Sequence, residues 1–449
     1  MELAAGAIYD RRHTAMASNR SSTTPRRAVA AKLRPRPPIA AAMPSATTSA
    51  APLSANPIVE WLLAEGWNDT NPRSFTERLA GRLVAMGFPL MRLRITIRTL
   101  HPLVAAVSYT WQRGKPDIEI YEPPHRLMQT DSFLKSPYAA ILEGAGAIRR
   151  RLDIPGASLE FGILEELKAE GATDYVALPI TFADGKIAFL TLATDRAGGF
   201  ATAELETVYE ILPALSRLLE VHALRRTATT LLQTYLGRHT GARVLDGQVK
   251  RGDGDDIHAV IWFCDLRDST ALADSMSRPE FLSILNDFFD CMAGPVIAQG
   301  GEVLRFIGDA ALAIFPIVEG DDASGRDACT RFEACRNAVA AARMAKAEIE
   351  ALNVKRAKVG ARPLGFGIGL HIGDVLYGNI GVVDRLEFTV IGAAANEAAK
   401  LQALCKKLGR SLLVSAKFAR HFPGEFQSLG EHVLPGVAQP QEIFVVPDL

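Results

Sequence analysis

Hydrophobic and polar residues alternate along the N-terminal half of the chain with two different periods. Apolar residues recur every three to four positions over residues 74–86, behind a serine of a common capping type, and this spacing predicts an amphipathic helix. Elsewhere the period is two, which is typical of a half-buried strand, and Ala183-Asp184-Gly185 between two such runs predicts a hairpin. The predicted strands cover residues 92–100, 103–111, 174–182 and 186–194, and a further helix covers residues 163–171. Helices beside a hairpin-built antiparallel sheet indicate a small α+β domain over residues 56–200.

A long helical pattern follows, from Thr202, a residue type that often caps helices, to Leu236. Its apolar residues fall at alternating steps of three and four, the spacing of a coiled-coil seam. They are Leu205, Val208, Leu212, Leu215 and Leu219. Pro213 inside the pattern is expected to kink or break the helix, so packing against the preceding domain is as well supported as dimerisation. Residues 237–256 are polar, and residues 201–256 are therefore interpreted as a signalling helix and linker.

The C-terminal part begins with a continuous apolar and aromatic run, residues 258–264, which is typical of a strand buried on both faces. An amphipathic helix is predicted over residues 279–299, and two β-favouring runs broken by Gly308-Asp309 predict a hairpin. A second helix over residues 326–352 and a strand over residues 364–372 complete the order β-α-β-β-α-β, the ferredoxin-like arrangement. The predicted fold class is α+β, with the first strand beside the hairpin in the middle of the sheet.

Two aspartates come together in this predicted topology. Asp265 directly follows the first strand and Asp309 lies at the tip of the hairpin, so the two carboxylates are expected side by side. Two converging like charges are unfavourable unless a cation compensates them, and carboxylate oxygens suit Mg²⁺ or Mn²⁺. Taken singly, Asp265 fits a helix cap and Asp309 fits a plain turn. Taken together, they predict a metal site.

The segment "LRDST" turns from the first strand into the next helix. Its exposed N–H groups, around Asp268, Ser269 and Thr270, are suited to cradle a polyphosphate, assisted by the helix dipole. The alternative for Asp268 is helix capping alone. The sequence therefore predicts phosphate binding beside the metal site.

Bulk composition narrows the classes of partner. Lys and Arg balance Asp and Glu at 50 each, so no net field favours nucleic acid or a membrane surface. The five cysteines form no CxxC pair and most lie in apolar patterns, which indicates reduced core residues of a cytoplasmic protein. No apolar run approaches the length of a membrane span, so no membrane association is predicted.

Residues 1–55 differ from the rest, because they are rich in Ala, Ser, Thr and Pro and contain no acid after Asp10. Such a segment cannot build a core and is predicted to be a disordered tail. An Arg- and Ser-rich leader of this kind also fits an organellar transit peptide. Another interpretation is an over-extended start, with Met16 or Met43 as the true initiator.

Four segments carry a resemblance to a known family: "WFCDLRDST", "EVLRFIGDAALAIFP", "FGIGLHIGDVLYGNIG" and "EFTVIGAAANEAAKL". In this order and spacing they resemble the catalytic domain of class III nucleotidyl cyclases, most of all bacterial adenylate cyclases with a threonine in the base-recognition position. The resemblance covers about residues 259–446 and implies a catalytic domain at residues 257–449. The preceding domain resembles a GAF or PAS sensor by its layout of elements alone, and its ligand would be an unknown small molecule or protein.

The resemblance implies a reaction, the conversion of ATP to 3′,5′-cyclic AMP and pyrophosphate. Asp265 and Asp309 would hold two Mg²⁺ or Mn²⁺ ions per active site, with the backbone carbonyl of Leu266 assisting. One ion would activate the 3′-hydroxyl of ATP and the other would hold the triphosphate. In this family each site is shared by two catalytic domains, so one domain per chain implies a homodimer with two equivalent sites.

The resemblance also implies substrate-reading residues, some of which depart from the family pattern. Thr389 and Arg305 match the purine-reading pair, where arginine replaces the usual lysine. Asn396 and Lys400, four apart on one helix face, match the ribose-orienting asparagine and the transition-state arginine. Losing the bidentate contact at Lys400 is expected to cost roughly 1.5–3 kcal/mol, about tenfold to a hundredfold in rate. Pro435 stands where relatives often carry a basic residue.

Two alternatives to an adenylate cyclase remain open at this point. The substitutions at Arg305 and Lys400 also fit a degenerate cyclase that binds nucleotide, or nothing, and acts as a dimerising signalling partner. A guanylate cyclase usually has an acid at position 305, so Arg305 argues against GTP. His371 is interpreted as a structural or interface residue, because metal activation of the hydroxyl requires no protein base.

Overall fold

The computed structural model of the chain describes residues 55–317, 330–422, 426–437 and 439–447. The tail predicted for residues 1–55 lies outside the described residues except for its last position, as do Cys329 and the predicted start of the helix at residue 326. Two sheets, each flanked by helices, make up the described part of the chain and confirm the α+β class.

The first sheet is antiparallel throughout, and the predicted hairpin joins two of its central strands. Its strands are β1 (Arg92–Arg98), β2 (Ala106–Gln112), β3 (Glu119–Tyr121), β4 (Ile148–Arg151), β5 (Asp174–Thr181) and β6 (Ile187–Thr194). The order across the sheet is β3-β2-β1-β6-β5-β4. The predicted strands of this domain are therefore confirmed, and β3 and β4 are additions at the two edges.

Helices cover both faces of this sheet. They are α1 (Pro57–Ala64), α2 (Pro72–Ala85), α3 (Asp131–Leu134), α4 (Pro137–Ala140) and α5 (Gly162–Ala169). Shorter helical turns lie at Gly66–Asn68, His125–Gln129 and Ile141–Ala145. The predicted cap of α2 is wrong by three residues, because the side chain of Asn71, not Ser74, accepts the N–H of Arg73 and proline follows at the first helical position.

The long helix α6 (Thr202–Leu236) has the predicted length, but two details differ. Its N-cap is Ala201, whose N–H donates to the carboxylate of Glu204. The helix also continues through Pro213 instead of breaking there. Three of the predicted seam positions are fully buried in the core of the first sheet, namely Val208, Leu215 and Leu219. The heptad-like spacing therefore serves core packing in this chain.

The second sheet contains the predicted ferredoxin-like order. Its strands are β7 (Gly254–Leu266), β8 (Glu302–Ile307), β9 (Ala310–Ile317), β10 (Phe366–Val382), β11 (Arg385–Ile391), β12 (Leu412–Ser415), β13 (Gln427–His432) and β14 (Gln441–Val445). Across the sheet β10, β7, β9 and β8 lie side by side in antiparallel pairs, so β7 is central. β12 pairs with β10 in parallel, β14 and β13 extend that edge, and β11 folds back on β10.

The helices of this part follow the predicted order with shifted ends. They are α7 (Arg238–Leu245), α8 (Ser269–Asp274), α9 (Arg278–Ala298), α10 (Arg331–Lys358), α11 (Ala393–Leu408) and α12 (Ala416–Ala419). The polar stretch predicted as a linker thus contains α7, and α10 runs six residues past the predicted end at residue 352. One core lies under α9 and α10, and a second under α11 and the β10–β11 hairpin.

Among the described residues, helix α9 is long and apolar enough to cross a membrane, by length and composition alone. This corrects the expectation that no apolar segment approaches the length of a membrane span. One face of this helix is buried in the core of the second sheet. Phe288, Met292 and Val296 on that face are fully buried. This arrangement is the one expected of a helix that covers a sheet.

Candidate active site

The fold brings Asp265 and Asp309 together, as the sequence predicted. Asp265 is near the end of β7, opposite Ala310 of β9, and Asp309 occupies the tight turn between β8 and β9. The N–H of Leu266 donates to the backbone carbonyl of Asp309 over 3.3 Å, which ties the turn to the end of β7. Gly308 in the same turn has φ of 64°, a conformation that glycine adopts without strain. The hairpin therefore holds the second carboxylate against the first.

The electrostatics of this pair fit a cation. Burial and the adjacent carboxyl group of Asp309 together raise the pKa of Asp265 to about 6. Its Oδ1 atom is buried and has no hydrogen-bond partner among the described residues. A buried carboxylate oxygen without a donor is unfavourable, and a divalent cation with oxygen preference would both satisfy it and offset the repulsion. The residues present therefore fit Mg²⁺ or Mn²⁺.

Two carboxylates are all that the chain supplies at this point. No group of three or more His, Cys, Asp or Glu side chains that could hold a metal occurs in the described residues. The remaining ligands would have to come from substrate phosphates, water or backbone, which is the usual situation for Mg²⁺ in phosphate chemistry. The carbonyl of Leu266 as a ligand stays a prediction.

Asp268 lies at the turn from β7 into α8, the segment predicted to bind phosphate. It adopts a left-handed backbone (φ 55°, ψ 30°), the only non-glycine residue with positive φ in the described chain. Its carboxylate forms an ion pair with Nζ of Lys406 at 2.8 Å and makes no capping bond to α8. The side chain of Asp268 thus tethers the β7–α8 turn to α11. Ser269 and Thr270 begin α8 directly after this turn, and their contact with phosphate stays a prediction.

Arg305 has a partner that sequence reasoning missed. Its Nη1 atom lies 2.8 Å from Oε2 of Glu387 on β11, and both side chains are about two fifths exposed, at 39% and 41%. Nε of Arg305 is buried and has no acceptor in the described residues. Glu387 stands two positions before Thr389, inside one of the four segments that carry the resemblance. Its local sequence gave no indication that its side chain contacts β8.

Thr389 is buried in the β10–β11 hairpin. It lies opposite Gly378, and only 4% of its surface is exposed. Its hydroxyl is buried without a hydrogen-bond partner among the described residues. A Cβ on Gly378 would lie 2.3 Å from the carbonyl oxygen of Asp253, so glycine is required for this close approach of strands. Thr389 therefore offers an unpaired donor and acceptor at a rigid position.

Asn396 and Lys400 share the outer face of α11, as their spacing predicted. The inner face of this helix is buried against β10 through Ala394, Ala398 and Leu401. Asn396 is exposed and Lys400 is half-buried. A Cβ on Gly436 would lie 3.6 Å from Nζ of Lys400, so Lys400 lies beside the turn that contains Pro435.

The predicted site residues form separate groups within one chain. Asp265 lies opposite Gly367 at one end of β10, whereas Thr389 lies opposite Gly378 at the other end. No hydrogen bond or ion pair given for the described residues joins the aspartate pair to Arg305, Thr389 or the outer face of α11. The aspartate pair and Thr389 therefore lie at different ends of β10 within one chain.

An open cleft of about 1480 Å³ lies beside Arg305 and Glu387, between the end of α6, α10 and the β10–β11 hairpin. Neither Asp265 nor Asp309 is among the described residues that line it. Because Asp265 and Asp309 do not line this cleft, its size does not identify the active site. The contact between the two carboxyl groups is better evidence for the position of the active site.

The start of β8 is bound to the segment predicted as a linker. Glu302 is only 4% exposed, and its carboxylate accepts hydrogen bonds from the N–H of Thr240 and from the hydroxyl of Tyr377, both over 2.9 Å. Burial alone would raise the pKa of Glu302, but these bonds and the hydrogen bond from His239 hold the pKa below its ordinary value. This network, which sequence reasoning also missed, connects α7 to β8 and β10.

His371 is buried in β10, and its Nδ1 atom lies 2.9 Å from Oγ of Ser415. Burial, together with the charges of Lys417 and His258, lowers the pKa of His371 to about 4. The imidazole is therefore neutral near pH 7 and is held inside the sheet, an environment that fits a structural residue.

Comparison with known proteins gives a match to a family model over this part of the chain. Residues 255–444 match the model described as the adenylate and guanylate cyclase catalytic domain. An adenylate cyclase of Anabaena cylindrica is 32% identical over 177 residues, which is 38% of this chain and 32% of that protein. The chain spans about a third of the length of the curated relatives it matches.

Solved structures named as adenylyl cyclases and as guanylate cyclases both resemble part of the chain. The adenylyl cyclase CyaB from P. aeruginosa is 22% identical, with a TM-score of 0.36 over 43% of this chain and 94% of that one. The guanylate cyclase domain of RhGC from Catenaria anguillulae, in complex with GTP, is 17% identical, with a TM-score of 0.33 over 42% and 96%.

Proposed function

Residues 255–444 belong to the family of adenylate and guanylate cyclase catalytic domains, and from this premise we propose that the chain is an adenylate cyclase. It would convert ATP to 3′,5′-cyclic AMP and pyrophosphate. The 3′-oxygen would form a bond to the α-phosphorus while the bond from that phosphorus to the β-phosphate oxygen breaks, and the hydroxyl proton would leave to water.

One observation carries this proposal: the contact of the Asp265 and Asp309 carboxyl groups, with Oδ1 of Asp265 buried and without a donor. Two Mg²⁺ or Mn²⁺ ions held here would lower the pKa of the 3′-hydroxyl and neutralise the triphosphate. The chain's own part is to hold the two carboxylates rigidly on β7 and the hairpin, which positions the reacting groups before the reaction begins.

Charged and polar side chains would bind the parts of ATP that do not contact the metal ions. Arg305 and Thr389 would read the purine, Arg305 as a donor to a ring nitrogen of adenine and Thr389 through its unpaired hydroxyl. Asn396 would orient the ribose and Lys400 would donate to the α-phosphate as charge builds there. The N–H groups at Ser269 and Thr270 would contact the polyphosphate.

A homodimer is part of the proposal, because one chain keeps the site residues apart. The exposure of Asn396 on the outer face of α11 supports its use by a site completed by a second copy. Two chains related by a twofold axis would form two equivalent sites. The aspartates of each site would then come from one chain, and Arg305, Thr389, Asn396 and Lys400 from the other.

The N-terminal region, residues 56–200, would act as a GAF- or PAS-like sensor of an unknown small ligand or protein. Support comes from the connection, residues 201–256. α6 is packed in the sensor core, and Thr240 of α7 is bonded to Glu302, three residues before Arg305 on β8. A cytoplasmic location is also proposed, since the cysteines of the described residues are buried thiols.

The test of this function is a cyclase assay of the full chain with ATP or GTP and Mn²⁺. We expect cyclic AMP and pyrophosphate in equal amounts, and a much lower rate with GTP. A preference for GTP would replace the proposed substrate. No cyclic nucleotide from either substrate, combined with binding of nucleotide or dimer formation, would establish the degenerate alternative instead.

The ion pair at Arg305 leads to a prediction about substrate affinity. Glu387→Gln keeps the shape of the side chain but removes the charge that holds the guanidinium. Because the pair is about two fifths exposed, we expect a rise in KM for ATP of only about 1.5- to 5-fold, with kcat nearly unchanged. Steady-state kinetics with ATP measures both constants.

The matched control for this prediction is Glu431→Gln, which changes an exposed glutamate on β13 and is expected to leave KM unchanged. In an Arg305→Lys background, Glu387→Gln should have a different effect from its effect alone, because the two positions interact. The same comparison in an Arg305→Gln background removes the cation altogether, and an effect of Glu387→Gln there equal to its effect alone would show that Glu387 does not act through Arg305.

A further inference from the structure

Two arginines of the N-terminal sheet, Arg92 and Arg94, lie on one face of β1. The alternate residues of this strand, Leu93 and Ile95, are fully buried in the core beneath α1, α2 and α6. Successive side chains of a strand point to opposite faces, so Arg92, Arg94 and Thr96 share the other face. Both arginines are half-buried. The sheet therefore carries two adjacent positive charges away from its main core.

Arg92 and Arg94 are half-buried and yet have no carboxylate partner among the described residues. In the part of the chain that the structure describes, no ion pair of 4.0 Å or less is given for either of them. Arg94 donates from Nε only to the hydroxyl of Thr110, over 2.7 Å. By contrast, Arg149 on β4 is 2.7 Å from Asp174. Their guanidinium groups thus retain donors for another acceptor.

Hydroxyl groups lie next to the two arginines on the same face. Thr96, Ser108, Thr110 and Thr191 are each at most 7% exposed. The strand register places them in rows with Arg94 and with one another across β2, β1 and β6. The hydroxyl of Thr96 lies 2.8 Å from that of Ser108 and 3.2 Å from that of Tyr138. A buried sheet face is usually apolar, so this row of hydroxyls is suited to a polar ligand.

The charges around Arg92 offset the repulsion between the two arginines only in part. Burial and the neighbouring charge of Arg94 lower the pKa of Arg92. The carboxylates of Glu170 and Glu119 act on Arg92 in the opposite sense, yet both residues are exposed and neither forms an ion pair with it. Two like charges in a half-buried setting repel each other, and a bound anion would offset this repulsion.

We propose that Arg92 and Arg94 form the binding site for the oxyanion group, phosphate or carboxylate, of a small molecule. The two guanidinium groups would bind the oxyanion through charge-assisted hydrogen bonds, and the neighbouring hydroxyls would contact polar atoms of the same ligand. The N-terminal domain would then be a receptor for a small anion. This inference is independent of the chemistry proposed for residues 255–444.

The test measures the thermal unfolding of the full chain with increasing sodium phosphate or sodium succinate. Sodium chloride at equal ionic strength is the reference, and all buffers are first passed over a chelating resin so that no divalent metal occupies the aspartate pair and no dissolved chelator competes for the arginines. We expect at least one oxyanion to raise the melting temperature of the wild type. Arg92→Gln and Arg94→Gln should each weaken the apparent affinity by about tenfold to a hundredfold. Phosphate and succinate distinguish the two ligand classes.

Arg98→Gln is the matched control, because Arg98 is an exposed arginine at the end of the same strand and should leave the response unchanged. Arg94→Lys keeps the charge and covers the case in which Arg94→Gln does not fold; it should respond more weakly than the wild type. The proposal is overturned if neither oxyanion stabilises the wild type. It is equally overturned if wild type, Arg92→Gln and Arg94→Gln respond alike.

Discussion

Replacing Asp309 by asparagine is expected to lower the cyclase rate about a thousandfold or more while making the metal-free protein more stable. The rate falls because an amide is a poor ligand for Mg²⁺ or Mn²⁺, and metal ions contribute several kcal/mol to the stabilisation of transition-state charge. The stability rises because Asp265 loses the like charge beside it. Cyclic AMP formation and thermal unfolding in EDTA measure the two effects on one preparation.

The gain in stability should depend on pH in a defined direction. Since the pKa of Asp265 is raised to about 6 in the folded chain, the folded state binds more protons than the unfolded state between about pH 4 and 6. The free energy of unfolding therefore falls as pH rises through this window. In Asp309→Asn that fall should be smaller, so the variant's advantage appears above about pH 6.

Asp290→Asn is the control, since it removes an exposed carboxylate of α9 in the same domain and should change neither measurement. Undiminished cyclic AMP from Asp309→Asn would exclude a metal role for this residue. A lower melting temperature than that of the wild type in EDTA would contradict the repulsion inferred between the two aspartates.

The second large effect is recovery of activity on mixing two inactive variants. Asp309→Asn disables the metal side of each site, and Asn396→Ala disables the ribose side. If each site takes these residues from different chains, a mixed dimer has one intact site. Random association gives mixed dimers in half of the population, so about a quarter of wild-type activity should return. Co-expression with two different affinity tags allows the mixed dimer to be isolated and assayed.

The control mixture combines Asp265→Asn with Asp309→Asn. Both changes lie on the metal side, so every site of a mixed dimer remains defective and no activity should return. Recovery in this control, or no recovery in an isolated Asp309→Asn/Asn396→Ala mixed dimer, would show that the site is not shared in the proposed way.

Local patterns were sufficient to predict most elements of both sheets. The hairpin around Gly308-Asp309 and the helix that carries Asn396 and Lys400 agree with the structure, because turn residues and helical periodicity are properties of neighbouring positions. The pairing of the two aspartates was also predictable, since the ferredoxin-like order places the end of β7 beside that turn. The metal roles and the shared site stay predictions.

Predictions were wrong where distant parts of the chain decide the outcome. The helix α6 continues through Pro213 instead of breaking there, because burying Val208, Leu215 and Leu219 in the core outweighs the bond that proline removes. Of the two uses left open for its heptad-like face, packing on the first sheet is the one observed. The linker that looked merely polar forms α7 and contributes Thr240 to a buried network.

Residue types and their order along the chain thus specified the α+β class, the order of the main elements and the pairing of the two aspartates. The partners of the charged side chains depended on packing: Glu387 for Arg305, Lys406 for Asp268, and no carboxylate for Arg94. Periodicity reports which face of an element is buried. It carries no information about which distant side chain will lie within 3 Å, since that distance is set by how strands and helices cross in the folded chain.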